Sequence, residues 1–380
     1  MKVALYGKGI LGEKVFRYLV SAEGIEVICI CNDTLASEET AMVFADTIYD
    51  AGQVPIMDFA GLCDICNRGE ADAVILATEN GFLDFVVKRM VRHGLRNIAV
   101  IPSYYEEDYE IEDGSFIWVE TDKPRMSYIE YHISFHCNLK CAGCTHFSNI
   151  IDEERFGDYE KFCNDLIRLQ EFFWGISKIR LMGGEPLLNP ELPKFIYAAR
   201  SAFPDADIRV VSNGLMLRDH HTEILEAMRN TATFFDVSMY PPTRGSINNI
   251  YKICKDNGVK LTVTSDVEEF MARMNLQGDS DIAEAYKACP SSHCNYLYDG
   301  HISTCVMPQV IEIFNKKYGL DIQPGEQDVI DIYEDGLDGY KLMERLKSPM
   351  DICRYCDVQS RFYQWFVSSD PLPDEWSSKI

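Results

Sequence analysis

The chain has 380 residues, 47% apolar and 25% charged, an ordinary globular composition with room for two or three domains. No apolar stretch approaches the roughly 18 residues of a membrane span, and a formal net charge of −24 argues against nucleic acid or an anionic membrane as partner, because phosphate surfaces are bound by basic ones. The opening MKVALYGKGILGEK runs straight into a glycine loop, as a first strand does and a secretory signal does not, so 14 cysteines point to a reducing cytoplasmic setting and to metal or redox chemistry.

Strand-like runs at residues 3–6, 26–31, 73–77 and 97–101 alternate with helical patterns that include 12–21 and 82–93, the latter stopped by Gly94. This alternation predicts an α/β domain with a parallel sheet over residues 1–105. Gly7-x-Gly9-x-x-Gly12 follows the first strand and opens a helix, and Asp33 ends the second strand. In that context the glycines let a phosphate approach a helix N-terminus and the acidic residue meets a ribose. Gly7, Gly9, Gly12 and Asp33 are therefore candidate nucleotide contacts in a Rossmann-like domain, with a domain kept for packing or dimerisation as the alternative. Cys29 and Cys31, like Cys163 and Cys254 further on, sit among apolar residues as core thiols do. Cys63 and Cys66 form a CxxC inside an amphipathic stretch without a second ligand pair, which reads as helix packing. The segments QVPIMDFAGL and ADAVILATEN resemble small Rossmann-like domains attached to bacterial surface-polysaccharide and sugar-modifying enzymes. That resemblance implies a pocket for a nucleotide-sugar or a similar phosphate-bearing molecule.

Residues 102–125 lose the periodicity and turn acidic and aromatic, which sets a linker at 106–125. A second array follows, with strands at 128–135, 178–182, 207–211, 235–239 and 260–264 and helices at 159–174, 192–203, 220–229 and 246–257. It predicts a barrel or half-barrel of βα units whose chemistry sits where the strands end. The first of these strands ends in FHCNLKCAGCTHF, with Cys137, Cys141 and Cys144 on one tight loop. Three thiolates hold three irons of a cubane and leave the fourth open to a reactant; a closed zinc site completed by His136 or His146 is the alternative. The second strand ends in Gly183-Gly184-Glu185-Pro186, where paired glycines allow close backbone approach and Glu185 suits an ammonium. The third ends in Ser212-Asn213-Gly214, a polar turn suited to ribose or carboxylate.

This order of motifs at successive strand ends, CxxxCxxC and then GGEP, resembles the radical SAM superfamily over residues 127–288. The resemblance implies a partial (β/α)6 barrel at 126–288, with a [4Fe–4S] cluster on Cys137, Cys141 and Cys144. S-adenosylmethionine (SAM) would then bind the open iron, with Gly183, Gly184 and Glu185 around its amine and Asn213 and Ser238 at its ribose or carboxylate. It also implies an external one-electron donor such as flavodoxin or ferredoxin. SAM is then cleaved to methionine and a 5′-deoxyadenosyl radical, which takes a hydrogen atom from the substrate.

Beyond residue 288 the pattern is irregular and rich in cysteine: Cys289, Cys294, Cys305, Cys353 and Cys356. The run YDGHISTC reads as a hairpin turning at Asp299-Gly300. Four of the five thiols suffice for a second cluster, and four thiolates suit zinc equally. Single Cys, DG hairpin with Cys, insertion and CxxC resemble, in that order, the twitch type of auxiliary domain, the shortened relative of SPASM, over residues 289–380. This implies a second [4Fe–4S] cluster on Cys289, Cys305, Cys353 and Cys356. Cys294 is left as a spare thiol, a replacement ligand or a hydrogen donor to a substrate radical. The whole reads as a radical SAM oxidoreductase or epimerase acting on a nucleotide-linked sugar or glycan intermediate, its phosphate gripped by the N-terminal glycine loop. A peptide- or protein-modifying maturase is the alternative.

Overall fold

The computed structural model describes residues 1–7, 9–32, 54–106, 109–218 and 220–379. They form two compact units, Met1–Arg125 with Pro204–Ala206, and Met126–Phe203 with Asp207–Ile380.

In the first unit the apolar runs become β1 (Lys2–Tyr6), β2 (Glu26–Cys31), β3 (Ile56–Met57), β4 (Ala73–Leu76), β5 (Ile98–Val100) and β6 (Ile117–Trp118), in the order β3-β2-β1-β4-β5-β6. The first five are parallel, and β6 closes the edge antiparallel to β5. All four residues of β4 are buried, as expected of strands covered on both faces. Leu11, Val15, Phe16 and Leu19 of the helix Ile10–Ser21 supply part of that cover. The strand order reverses between β1 and β4, the crevice where such sheets take ligands. Gly7 stands there with φ +132°, and a Cβ on it would lie 2.0 Å from the Ala77 carbonyl oxygen, so the chain's own packing already requires a glycine. Gly9, at φ 97°, precedes the helix Ile10–Ser21 without a side-chain cap, and Gly12 is buried within that helix. Asp33 lies outside the described residues.

The expected linker at 106–125 belongs to this unit. Its aromatic residues are what fold it back: Phe116 meets Tyr18 at a ring distance of 5.7 Å, and the following residues pair as β6. Cys63 and Cys66 lie on the helix Phe59–Asn67, and burial pushes the Cys29 and Cys66 thiols up to about 11, as for core thiols.

Two-residue strands β7 (Arg125–Met126) and β9 (Gly175–Ile176) pair with each other. The main sheet of the second unit has β8 (Ile129–Ser134), β10 (Lys178–Gly183), β11 (Asp207–Ser212), β12 (Phe234–Val237) and β13 (Leu261–Val263) side by side and parallel. The helices Tyr159–Phe172, Leu192–Ala202, Thr222–Asn230 and Ile247–Asp256 connect them. Among the described residues this is five βα strands rather than the six implied by (β/α)6. After β13 the chain enters β14 (Glu269–Met274), whose hydrogen bonds go to the distant antiparallel strand β18 (Cys356–Gln364). Nor do residues 289–380 stand apart. Strands β15 (Tyr296–Tyr298), β16 (His301–Ser303) and β17 (Ile330–Asp331) extend the same sheet from the free edge of β8. No described helix is long and apolar enough to cross a membrane.

The β15–β16 turn has both central residues left-handed, Asp299 at φ 50° and Gly300 at φ 76°, as a two-residue primed turn requires. Asp165, buried on the helix Tyr159–Phe172, accepts from Gly300 N at 3.0 Å and from the Tyr333 hydroxyl at 3.1 Å. Asp165→Ala strands both donors and should lower stability by about 1–3 kcal/mol in urea titrations; Asp165→Asn, which keeps an acceptor, should lose less.

Candidate active site

A cavity of about 330 Å³ opens where β8, β10, β11 and β12 end, with β14 as a further wall. Cys137, Cys141, Cys144, Gly183, Gly184, Asn213 and Ser238 all line it. The sequence motifs, spread over some 100 positions, thus converge on one space, and Arg180, Met182, His146, Tyr240 and Phe270 complete its wall.

The GG pair is explained locally. A Cβ on Gly183 would lie 2.1 Å from Ser134 O, and one on Gly184 2.1 Å from His136 O. Without side chains there, Gly184 N donates to Ser134 O at 2.7 Å and Glu185 N to His136 O at 3.1 Å, so the glycine turn and the start of the cysteine loop are held together. Glu185 itself is 0% exposed and does not line the cavity. Its carboxylate accepts from Leu187 N (3.0 Å), the Ser212 hydroxyl (2.7 Å) and Asn213 N (2.9 Å). Burial pushes its pKa up to about 7 against those three donors. It ties the end of β10 to the end of β11 and thereby fixes Asn213. The Asn213 amide donates to Asn138 Oδ1 at 2.8 Å and reaches the Cys137 sulfur at 3.8 Å.

The cysteine loop is clamped from the far end of the chain. Ala142 N donates to Phe366 O (3.0 Å), the Tyr363 hydroxyl to Ala142 O (2.9 Å), and the Trp376 indole to Cys144 O (2.8 Å). Burial raises all three thiols, with Cys141 pushed up to about 12 by burial and by Cys144 beside it. Donors already face two of the sulfurs: Leu139 N at 3.4 Å for Cys137, and the backbone N–H groups of His146, Ser148 and Asn149 for Cys144. Among the described residues no three His, Cys, Asp or Glu side chains converge as the ligands of a single ion do. A cubane asks less of its thiols, since each binds a separate iron.

Cys289, Cys305, Cys353 and Cys356 are mutual neighbours: a charge on any of the other three raises the Cys305 pKa, and Cys289 does the same for Cys353 and Cys356. Cys294 is near Glu130, Arg180 and Cys289, close enough for each to act on its thiol, and is not in the cavity wall.

Sequence reading missed Arg180 and Tyr240. Arg180 had a signal: with Met182 it shares the inward face of the strand that ends in GGEP. Its contacts are long, 3.5 Å to the Tyr128 hydroxyl and 3.6 Å to Asp236, so the guanidinium has capacity left for an anion. Tyr128 also donates to Glu130 at 2.8 Å. Burial pushes the Glu130 pKa from 4.5 up to about 7, although Tyr128 and Arg180 favour its charge. Between those values the folded chain keeps a proton that the unfolded chain has lost. Its contribution to stability is thus full at low pH and lost as pH rises through about 7. Glu130→Gln should flatten the loss of stability across that window, read as urea midpoints against pH.

The Radical SAM superfamily model matches residues 131–264. The GTP 3′,8-cyclase of Campylobacter curvus is 31% identical over 105 residues, 27% of this chain and 32% of that protein. The enzyme of the same name from Clostridium acetobutylicum is 28% identical over 133 residues, 34% of this chain and 41% of that protein. The chain thus spans about a third of the length of the curated relatives it matches. Among solved structures, BtrN in complex with AdoMet and 2-DOIA is 20% identical, with a TM-score of 0.39 over 62% of this chain and 94% of that one. The stretch that builds the cysteine loop, the glycine turn and the Asn213 turn is accordingly a radical SAM superfamily domain.

Proposed function

We propose that the chain is a radical SAM enzyme that takes a hydrogen atom from a nucleotide-linked sugar or glycan intermediate, leading to oxidation or epimerisation. The observation that carries the reading is the shared cavity, where Cys137, Cys141 and Cys144 face Gly183, Gly184, Asn213 and Ser238. A four-iron cluster fits this donor set: the three thiols lie on one loop, two of their sulfurs already receive N–H donors, and the cavity leaves room for a reactant. Cys137, Cys141 and Cys144 would hold that cluster, which would supply the electron, drawn from a donor such as flavodoxin or ferredoxin, for reductive cleavage of SAM.

The rest is the work of this chain's residues. Gly183 and Gly184 leave the wall bare enough for the methionyl end of SAM, and Asn213 and Ser238 offer polar groups to its carboxylate or ribose. Glu185 acts as a positioning residue through Ser212 and Asn213. Arg180 meets an anionic or hydroxyl-rich part of the substrate from the same wall. The relatives' name includes GTP, which agrees with a nucleotide-bearing substrate. In the tail, Cys289, Cys305, Cys353 and Cys356 hold a second [4Fe–4S] cluster of the twitch type, and their mutual proximity supports this. In the first unit, the uncapped helix start at Gly9 suits a phosphate.

Two experiments test the reading. Anaerobically reconstituted protein should hold about eight irons, from two cubanes. With Cys137, Cys141 and Cys144 all changed to Ala it should hold about four and form no 5′-deoxyadenosine. Zinc in the tail, or undiminished SAM cleavage, would overturn the assignment. Separately, Gly9→Val should weaken nucleotide-sugar binding by calorimetry while leaving the iron content unchanged; unaltered binding shows that the N-terminal loop takes no part.

A further inference from the structure

Below the glycine turn, one cation lines the cavity without a close counter-charge. The register pairs Arg180 of β10 with Glu130 of β8 on one side and with Arg209 of β11 on the other, so two guanidiniums stand side by side on one face of the sheet. Like charges in register on neighbouring strands repel. Arg209 is answered, because both Asp207 oxygens lie within 3.1 Å of its Nε. Arg180 is not. Asp236 stands 3.6 Å from each arginine and also accepts from Thr262 at 2.9 Å, while Glu130 is engaged by the Tyr128 hydroxyl at 2.8 Å. The buried Nε of Arg180 has no hydrogen-bond partner. Of the two arginines, Arg180 is the one that lines the cavity.

A second donor meets the same space. The register sets His132 beside Met182, one step along the same face from Arg180. His132 Nε2 and His146 Nδ1 are 2.8 Å apart, and His146 lines the cavity. One of these two nitrogens must carry the shared proton. His132 Nδ1 is buried and has no partner. A proton there would be an orphaned N–H, the rarer kind of unpaired group, so His132 carries its proton on Nε2 and donates it to His146. The His146 proton is then on its own Nε2, the nitrogen left for the cavity.

We propose that Arg180 and His146 form a cradle for a phosphate group of the substrate, the guanidinium taking two of its oxygens and the His146 Nε2–H a third. This rests on the reading above that SAM and substrate meet in this cavity, and it makes the end of the substrate that reaches Arg180 anionic rather than hydroxyl-rich. A phosphate suits the pair because its three terminal oxygens serve the fork and the imidazole at once, whereas a carboxylate has two. Arg180 lies three residues before Gly183, about 10 Å along the strand. The phosphate thus enters ahead of the carbon that reacts. Binding energy from that remote group then holds an unreactive C–H in place beside SAM.

Inorganic phosphate is the probe, titrated by calorimetry into full-length, anaerobically reconstituted protein saturated with SAM. Arg180→Met keeps an unbranched stem and removes the fork, and phosphate affinity should fall by about tenfold or more, as for loss of a charge-assisted pair. His146→Phe keeps a ring and removes the donor, at a loss of about threefold. Acetate at equal concentration should displace little of the phosphate. Unchanged affinity in either variant, or a wild type that binds no phosphate, overturns the cradle. Equal competition by acetate overturns the choice of phosphate. If phosphate binds only until SAM is added, the donors belong to the methionyl carboxylate and the substrate assignment falls. Should Arg180→Met fail to hold iron, Arg180→Lys keeps the charge without the fork, and unchanged affinity there is equally fatal. Undiminished SAM cleavage after loss of Cys137, Cys141 and Cys144 would instead overturn the reading of the cavity itself, wherever phosphate binds.

Discussion

At the ends of β8 and β10 two backbones cross at a separation that excludes any side chain. Ser134 O and His136 O come within 2.1 Å of where the Cβ atoms of residues 183 and 184 would be, and the amides of Gly184 and Glu185 use that proximity to bond to them. The cysteine loop therefore leaves β8 with its first residues already fixed to the turn of the neighbouring strand. Glu185 passes the constraint on, because its buried carboxylate accepts from the Ser212 hydroxyl and Asn213 N at the end of the third strand as well as from its own Leu187 N. One short backbone contact and one buried carboxylate thus align three strand ends around a single cavity. A glycine pair that looks, in sequence, like an opening for a ligand is first of all what lets the protein approach itself.

How far the sequence could be read follows from how local each feature is. The strands of both arrays were legible because their apolar runs are short and continuous, and the three cysteines because they fall within eight consecutive positions. Asp299-Gly300 was legible because a two-residue turn has few chemistries. The direction of the Glu185 side chain was not, since it depends on which strand packs alongside. The same is true of β6, of the pairing of β14 with β18, and of the hairpin joining β8, all of which are settled by partners remote in sequence. The indole of Trp376 and the Cys144 carbonyl are 232 positions apart, and no local pattern marks either as the partner of the other.

The two groups of thiols share more than composition. Cys137 follows the C-terminal end of β8, and the hairpin leading to Cys305 is paired along the free edge of that same strand. Asp165, from the helix that follows the cysteine loop, then fastens the hairpin turn. The hairpin that leads to Cys305 is thus joined to the strand that leads to Cys137, whereas Cys356 begins β18, in the separate two-stranded sheet with β14. Cys137, Cys141, Cys144, Cys305, Cys353 and Cys356 are all raised by burial, so any metal taken up at either group would release protons as it bound.

The strap across the cysteine loop has a consequence for the order of events during synthesis. The loop leaves the ribosome long before Phe366 and Trp376 exist, and closing so long a separation is slow compared with forming a helix or a hairpin. Until then the three thiols sit on an unclamped loop, without the aromatic cover that later shields them. A nascent chain is thus exposed to adventitious metals and oxidants at a loop that the folded chain covers. The loop takes its finished form only once the strap has emerged and folded down onto it.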